Sequence, residues 1–166
     1  RLDEAPRRPR APLDLYVLAQ DVTDRYAAAR VPVVLDPCEQ DCTVLAEAGA
    51  VRRVLVNLID NAVRHARSRV TVTVAPRTLT VADDGPGIPP GDRARVFDRF
   101  TRLDWDRGRE SGGAGLGLAI VRELVAAHGG SVTLSDANPG LVVTVHFPDP
   151  PIDPTGARTP HTATTP

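Results

Sequence analysis

An α/β domain is the fold class this sequence predicts, and three stretches carry that prediction. Residues 48–66 place apolar side chains at Val51, Val54, Leu55, Leu58, Ile59, Ala62, Val63 and Ala66, the i, i+3, i+4, i+7 rhythm of a helix packed on one face. Residues 69–75 and 78–82 alternate apolar with polar side chains on either side of Pro76-Arg77, as two half-buried strands joined by a turn do. A second helical run, with Leu116, Ile120, Val121, Leu124 and Val125 apolar, follows a cluster of glycines and ends at Gly129-Gly130, after which residues 131–134 and 141–147 again read as strands.

The remaining elements follow in chain order. Residues 1–12 are rich in Arg and Pro and read as a linker. Residues 12–15 suit a short edge strand, and residues 15–30 carry helical spacing at Leu15, Leu18, Ala19, Val22 and Tyr26. Residues 31–35 and 43–46 look like paired strands around a polar loop that holds both cysteines, Cys38 and Cys42. The spacing leaves both a disulfide across that loop and two separate thiols as readings. Two cysteines make a poor zinc site, since structural zinc normally takes four ligands, and two ordinary thiols of a cytoplasmic protein are the expectation. Residues 93–100 predict a short helix with Val96, Phe97 and Phe100 on its apolar side. The charged, aperiodic stretch 101–113 then reads as a mobile loop, with Trp105 in its middle either docking on a partner or folding back on the domain. The final hairpin turns at Asn138-Pro-Gly140, and the Pro- and Thr-rich residues 149–166 predict a disordered tail.

Composition narrows the function classes. A length of 166 residues suits one compact domain, and 42% hydrophobic with 25% charged residues is ordinary for a globular chain. The net charge of −1 gives no reason to expect nucleic acid or an acidic membrane as partner. All 20 basic residues are Arg, so a phosphate site here must use Arg, backbone amides or a metal ion. No apolar run approaches the ~20 residues of a membrane span, and no signal peptide is visible. The opening Arg1 reads as the start of a cytoplasmic fragment, so membrane anchoring of its parent stays an open expectation.

Three local patterns bear on chemistry. On the first helix, Asn57, Asn61, Arg64 and His65 recur three and four residues apart and form a polar row beside the apolar stripe, while Arg53, Asp60 and Arg67 point toward water. Amide oxygens can hold a metal and an arginine a phosphate, although a solvated helix edge explains the same row. Asp83-Asp84-Gly85-Pro86-Gly87-Ile88 closes a strand with a backbone that a flat ligand can approach. Its aspartate can accept from an exocyclic amine, but taken locally a plain turn is the better reading. Gly113-Ala114-Gly115-Leu116-Gly117 opens a helix, where free amides and the helix dipole favour phosphate. No Ser-His-Asp set or metalloprotease motif is present, and His128, His146 and His161 read as structural or incidental.

In this order the three motifs closely resemble the catalytic and ATP-binding domain of bacterial sensor histidine kinases, within the wider group that includes DNA gyrase, mismatch-repair ATPases and a heat-shock chaperone. The resemblance covers residues 13–148 and implies a two-layer α/β sandwich, its mixed, largely antiparallel sheet covered on one face by helices. It implies ATP and Mg²⁺ as ligands. Asn61 would hold Mg²⁺ with Asn57 assisting, Arg64 would reach the phosphates, and His65 would stand beside the nucleotide where many members have Tyr. Asp83, rather than Asp84, would recognise the adenine amine, with Gly85, Gly87 and Ile88 completing that box. Val96-Phe-Asp-Arg-Phe100 resembles the phenylalanine box, and Gly113, Gly115, Leu116 and Gly117 belong to the second glycine box, with Ala114 where Thr or another small residue is common. Arg102 and Arg107 fall in a lid of about residues 98–113 where γ-phosphate contacts are common, with Arg109 a competitor.

One departure from the family pattern is informative. None of the four histidines stands in the His-Glu-hydrophobic-Arg setting of the phosphoacceptor, and Arg1-Leu-Asp-Glu resembles the end of the dimerisation module that carries it. The resemblance therefore implies a donor domain whose partners are an upstream dimerisation and histidine-phosphotransfer module and, through it, a response regulator. The parent would be a homodimer and the fragment a monomer. An ATP-hydrolysing conformational switch and an anti-sigma-factor-like serine kinase are the alternatives. Both usually carry a glutamate base where Asn57 stands, and an amide takes up no proton. A binding module without activity is a third alternative, weakened by the intact Asn61, Asp83, Gly85, Gly87 and Gly115.

Overall fold

A computed structural model describes residues 9–99 and 117–151. In chain order the elements are β1 (Ala11–Asp14), α1 (Leu15–Thr23), β2 (Val33–Leu35), β3 (Thr43–Ala46), α2 (Ala48–His65), β4 (Val70–Ala75), β5 (Thr78–Asp83), α3 (Gly117–Ala127), β6 (Ser131–Asp136) and β7 (Leu141–His146). Period-two alternation gives the sheet one apolar face. Val70, Val72 and Val74 of β4, Leu79 and Val81 of β5, and Leu141, Val143 and Val145 of β7 are all buried. Against that face lie Val51, Val54, Leu55, Leu58 and Ile59 of α2, Val121 and Val125 of α3, and Leu15, Leu18 and Val22 of α1, in one continuous core. Each such side chain stabilises the fold by about 1.5–3 kcal/mol when fully buried. The other face presents half-buried threonines such as Thr71, Thr73, Thr80 and Thr144.

The main sheet has five strands in the order β2-β4-β5-β7-β6. Only β2 and β4 run parallel, with Val33 opposite Val70; the other pairs are antiparallel. The two-layer, largely antiparallel architecture that the family resemblance implies is the one observed.

Three local expectations need correction. Residues 31–35 and 43–46 do not pair with each other. β3 pairs antiparallel with β1 in a separate two-stranded ribbon, Leu13 opposite Val44, whereas β2 fills the edge of β4 that the β4–β5 hairpin leaves open. Asp36 N–H to the Val72 carbonyl and Thr73 Oγ to the Asp36 carboxylate, each 2.9 Å, fasten that edge. The helix read over residues 15–30 ends at Thr23 and relaxes into a 3-10 turn, Asp24–Tyr26. Beyond Val22 the next residue in register is Tyr26, and its hydroxyl anchors the turn on Asp60 of α2 at 2.7 Å. The short helix expected over residues 93–100 is instead a pair of 3-10 turns, Pro90–Asp92 and Arg95–Phe97, with Asp98 already extended.

The setting of α2 matters most for function, and both its ends are held. The Glu47 carboxylate caps the N-terminus, accepting from the Gly49 and Ala50 amides at 3.0 and 2.8 Å. The Glu47 amide itself donates to Nε2 of buried His128 at 3.2 Å, whose Nδ1–H donates to the Leu124 carbonyl at 2.8 Å. His128 thus joins the start of α2 to the end of α3, a structural role. At the other end the Arg30 guanidinium donates to the Val63 and Ala66 carbonyls, opposing the negative pole of the helix.

Candidate functional site

β5 delivers the first site residue by its own periodicity. Its core-facing positions are Leu79, Val81 and Asp83, so the strand places a carboxylate where a hydrocarbon would otherwise sit. Asp83 is only 6% exposed. Its Oδ1 accepts from the Gly85 amide at 2.8 Å. Burial pushes its pKa up, the Gly85 and Leu141 amides oppose that shift, and the neighbouring Asp84 charge adds to it.

Asp84 points to the other side and is committed elsewhere. Its Oδ1 accepts from the Arg67 and Ser68 amides at 2.8 and 3.0 Å, and Oδ2 accepts from the Ser68 hydroxyl. These donors, the Ser68 hydroxyl foremost, hold its carboxyl well below the usual range. Asp84 therefore closes the α2–β4 turn and fixes the end of α2 against the end of β5.

The glycines after Asp83 are explained by proximity. A Cβ on Gly85 would lie 2.2 Å from the His65 carbonyl oxygen, so the loop passes flush against the last turn of α2. Gly140, at the β6–β7 turn, has φ +109° and a Cβ there would lie 1.8 Å from the Asp83 carbonyl oxygen. Gly140→Ala is therefore expected to destabilise the domain by roughly 2–5 kcal/mol through backbone strain and overpacking. Denaturant unfolding is the check, and an unchanged midpoint would contradict the packing described.

On α2 the polar row sits where the sequence puts it. Asn57, Asn61, Arg64 and His65 are half-buried, while Arg53, Asp60 and Arg67 are exposed. Nδ2 of Asn57 donates to the Arg53 carbonyl at 2.8 Å, which leaves Oδ1 as the atom presented outward. A Cβ on Gly117, the first residue of α3, would lie 3.5 Å from that oxygen. The structure thus brings the start of α3 to Asn57, and the Asp83 loop to His65, at two points along one helix edge.

The other predicted residues fall in three groups. Gly87 has φ +72° and packs on Gly140. Ile88 is buried in the core, and its carbonyl accepts from Arg93 Nε at 3.0 Å. Val96 and Phe97 are half-buried against the core, with the Arg122 guanidinium 5.6 Å from the Phe97 ring centroid, and Arg99 pairs with Glu123 of α3. Phe100, Arg102, Trp105, Arg107, Arg109, Gly113, Ala114, Gly115 and Leu116 lie outside the described residues, as do residues 1–8 and 152–166.

Sequence reading missed Gly140, Leu141 and Ser68 as parts of the site. Asn138-Pro-Gly140 announces a turn, but nothing in the string says that the turn backs Asp83. Taken together, the loop that follows a buried carboxylate and the start of α3 both meet the edge of α2 that carries Asn57, Asn61, Arg64 and His65. That donor set suits a purine amine, a hard cation and a polyphosphate.

Comparison with known proteins agrees. Residues 46–151 match the family model described as Histidine kinase-, DNA gyrase B-, and HSP90-like ATPase. The chain is 38% identical over 148 residues to the probable sensor histidine kinase TcrY of Mycobacterium tuberculosis, covering 84% of this chain and 31% of that protein. Its fold is similar to that of the ATP binding domain of PrrB from Mycobacterium tuberculosis, with a TM-score of 0.70, 26% identity and coverage of 87% of this chain and 100% of that one. It is also similar to full-length ShkA in complex with AMPPNP, with a TM-score of 0.70, 31% identity and coverage of 84% and 31%. The chain spans less than half the length of the curated relatives it matches.

Proposed function

This chain belongs to the histidine kinase-, DNA gyrase B- and HSP90-like ATPase family, and from that premise we propose that it binds Mg-ATP and donates the γ-phosphate to a histidine on a separate dimerisation module. It would be the catalytic domain of a two-component sensor histidine kinase. The observation that carries this reading is the division of labour between two adjacent carboxylates. Asp84 is taken up by the α2–β4 turn, while Asp83 is buried, raised in pKa and set beside α2 through Gly85. A buried carboxylate matches the exocyclic amine of adenine. The likeness to ShkA in complex with AMPPNP supports a nucleotide here.

The residues present fit Mg²⁺. With its nitrogen tied to Arg53, Asn57 offers an oxygen, a hard donor of the kind Mg²⁺ takes; Asn61 stands one turn further along the same edge. Asn61 would hold the ion and Asn57 would assist. When bound, the ion offsets charge on the phosphates. Arg64, near the C-terminal end of α2, would reach those phosphates, and Arg102 and Arg107 would oppose charge at the γ-position. The amides of Gly113, Gly115 and Gly117 would cradle the chain of phosphates at the start of α3. Catalysis on this reading is positioning and charge neutralisation.

Asn57 also argues for transfer over hydrolysis. An ATPase switch needs a base to activate water, and an amide takes up no proton near neutrality. On the family reading the acceptor would be an imidazole on the dimerisation module, and the response regulator would receive the phosphate from there. In domain terms, residues 1–12 would link to that module and residues 13–148 would make up the catalytic domain, with about 98–113 assigned to a lid and 149–166 to a tail; of these, residues 1–8, 100–116 and 152–166 lie outside the described residues. The chain would work in the cytoplasm as a monomer when separated from its homodimeric parent. Among the described residues no helix is long and apolar enough to cross a membrane.

The test is incubation of γ-labelled ATP with the chain alone, the parent's dimerisation module alone, and both. Acid-labile label should appear on the module only in the mixture. Because covalent linkage normally supplies proximity, transfer should be slow and should rise with module concentration. Rapid phosphate release by the chain alone, with no label on the module, would favour the ATPase switch instead.

A further inference from the structure

The loop between β2 and β3 holds a pair of sulfurs that the nucleotide site does not use. Sγ of Cys38 and Sγ of Cys42 lie 3.2 Å apart, and both are free thiols. The fold brings them together through anchors at each end of the loop. On the β2 side, the Asp36 amide donates to the Val72 carbonyl at 2.9 Å. On the β3 side, the Leu15 amide donates to the Cys42 carbonyl at 3.2 Å and the Thr43 amide to the Asp41 carboxylate at 3.0 Å. The sulfurs are unequal. Cys42 is 1% exposed, and burial, aided by its contact with Cys38, pushes its thiol up to about 12. Cys38 is only half-buried.

We infer that Cys38 and Cys42 form a reversible dithiol–disulfide site, in which Cys38 reacts first with a low-molecular-weight disulfide and Cys42 closes the bond. In the first step the Cys38 thiolate attacks one sulfur of the reagent, forming a mixed disulfide and releasing one thiolate. In the second, Cys42 gives its proton to water and its thiolate attacks Cys38 Sγ, releasing the second thiolate. The two cysteines lose two electrons between them, and the reagent disulfide is reduced to two thiols. Thiolate, not thiol, is the nucleophile, so the buried Cys42 is suited to resolving rather than initiating. Closure would stitch the loop at the point where the chain leaves the main sheet for the β1–β3 ribbon, and β1 is the strand through which residues 9 and 10 enter the domain.

The probe is oxidised glutathione, added to the whole chain with nucleotide absent. The reduced chain should lose both titratable thiols without gaining the mass of glutathione and without forming dimers. Dithiothreitol should restore both thiols. The closing step should accelerate as pH rises. Cys42→Ser should stop at a stable glutathione adduct on Cys38, and Cys38→Ser should react far more slowly than wild type. Wild-type chain that accumulates a glutathione adduct, or that cross-links between chains, would overturn the inference. So would a Cys38→Ser variant that reacts as fast as wild type. The wild-type measurement stands alone, so a variant that fails to fold leaves the inference open to contradiction.

Discussion

Asn61→Ala is expected to abolish tight, Mg²⁺-dependent binding of ATP while leaving the fold intact. Asn61 is half-buried on the edge of α2, beside the buried stripe of Leu58, Ile59 and Ala62 rather than within it. Alanine is the best helix former, so truncation there removes no apolar core side chain and keeps the helix. What goes is the amide oxygen assigned to the ion. On the proposed site Asn57 alone would then face the ion, and Arg64 would remain on α2 to oppose the phosphate charge. A loss of roughly 2.7 kcal/mol is a hundredfold in affinity, and a loss of at least that order is expected. Calorimetry in the presence of Mg²⁺ measures it, with thermal melting as the control on folding. Unchanged affinity in a normally melting variant would remove Asn61 from the metal site.

Asp83→Asn is expected to weaken ATP binding by about ten- to a hundredfold, since a charge-assisted hydrogen bond is worth roughly 1.5–3 kcal/mol. The loss should fall on ATP more than on GTP. Guanine offers a carbonyl oxygen where adenine offers its amine, and a carboxylate repels that oxygen. A pH dependence follows from the same residue. Burial raises the Asp83 pKa above its ordinary value of 3.8. The folded chain therefore holds this proton more firmly than the unfolded one, so Asp83 costs stability above its raised pKa and that cost fades as pH falls through it. Nucleotide affinity moves the other way, because protonation removes the charge that binds the amine. ATP binding should fall on mild acidification, at a pH above that of an ordinary aspartate, while Asp83→Asn should lose that step. A variant that keeps the step would assign it to another group.

Much of this was legible in the sequence, for identifiable reasons. Local periodicity carries α2, α3 and the β4–β5 hairpin, because each buries one face and the pattern of burial is written in consecutive residues. The polar row on α2 was visible for the same reason. Pairing over long range was not. β2 and β3 flank a short loop and look like a hairpin, yet the free edge of β4 and the exposed edge of β1 offer each a better partner. The choice of Asp83 over Asp84 came from resemblance, and its physical basis appears only when strand register turns Asp83 inward and the Arg67 and Ser68 amides meet Asp84. Gly140 could be seen as a turn glycine but not as the backing of Asp83, since 57 residues of chain, residues 84–140, separate the Asp83 backbone from the end of that turn. The cysteines were read as ordinary thiols. Their 3.2 Å approach depends on anchors from Val72 and Leu15 that a reading of the loop alone does not contain.

The claim on which the rest depends is that α2, the Asp83 loop and the start of α3 form one nucleotide site. Calorimetric titration of the unsubstituted chain with ATP and with GTP, each with and without Mg²⁺, tests it most directly. Saturable binding of one nucleotide per chain, stronger for ATP than for GTP and strengthened by Mg²⁺, is the predicted result. Equal affinity for the two nucleotides, or ATP binding indifferent to Mg²⁺, would contradict it.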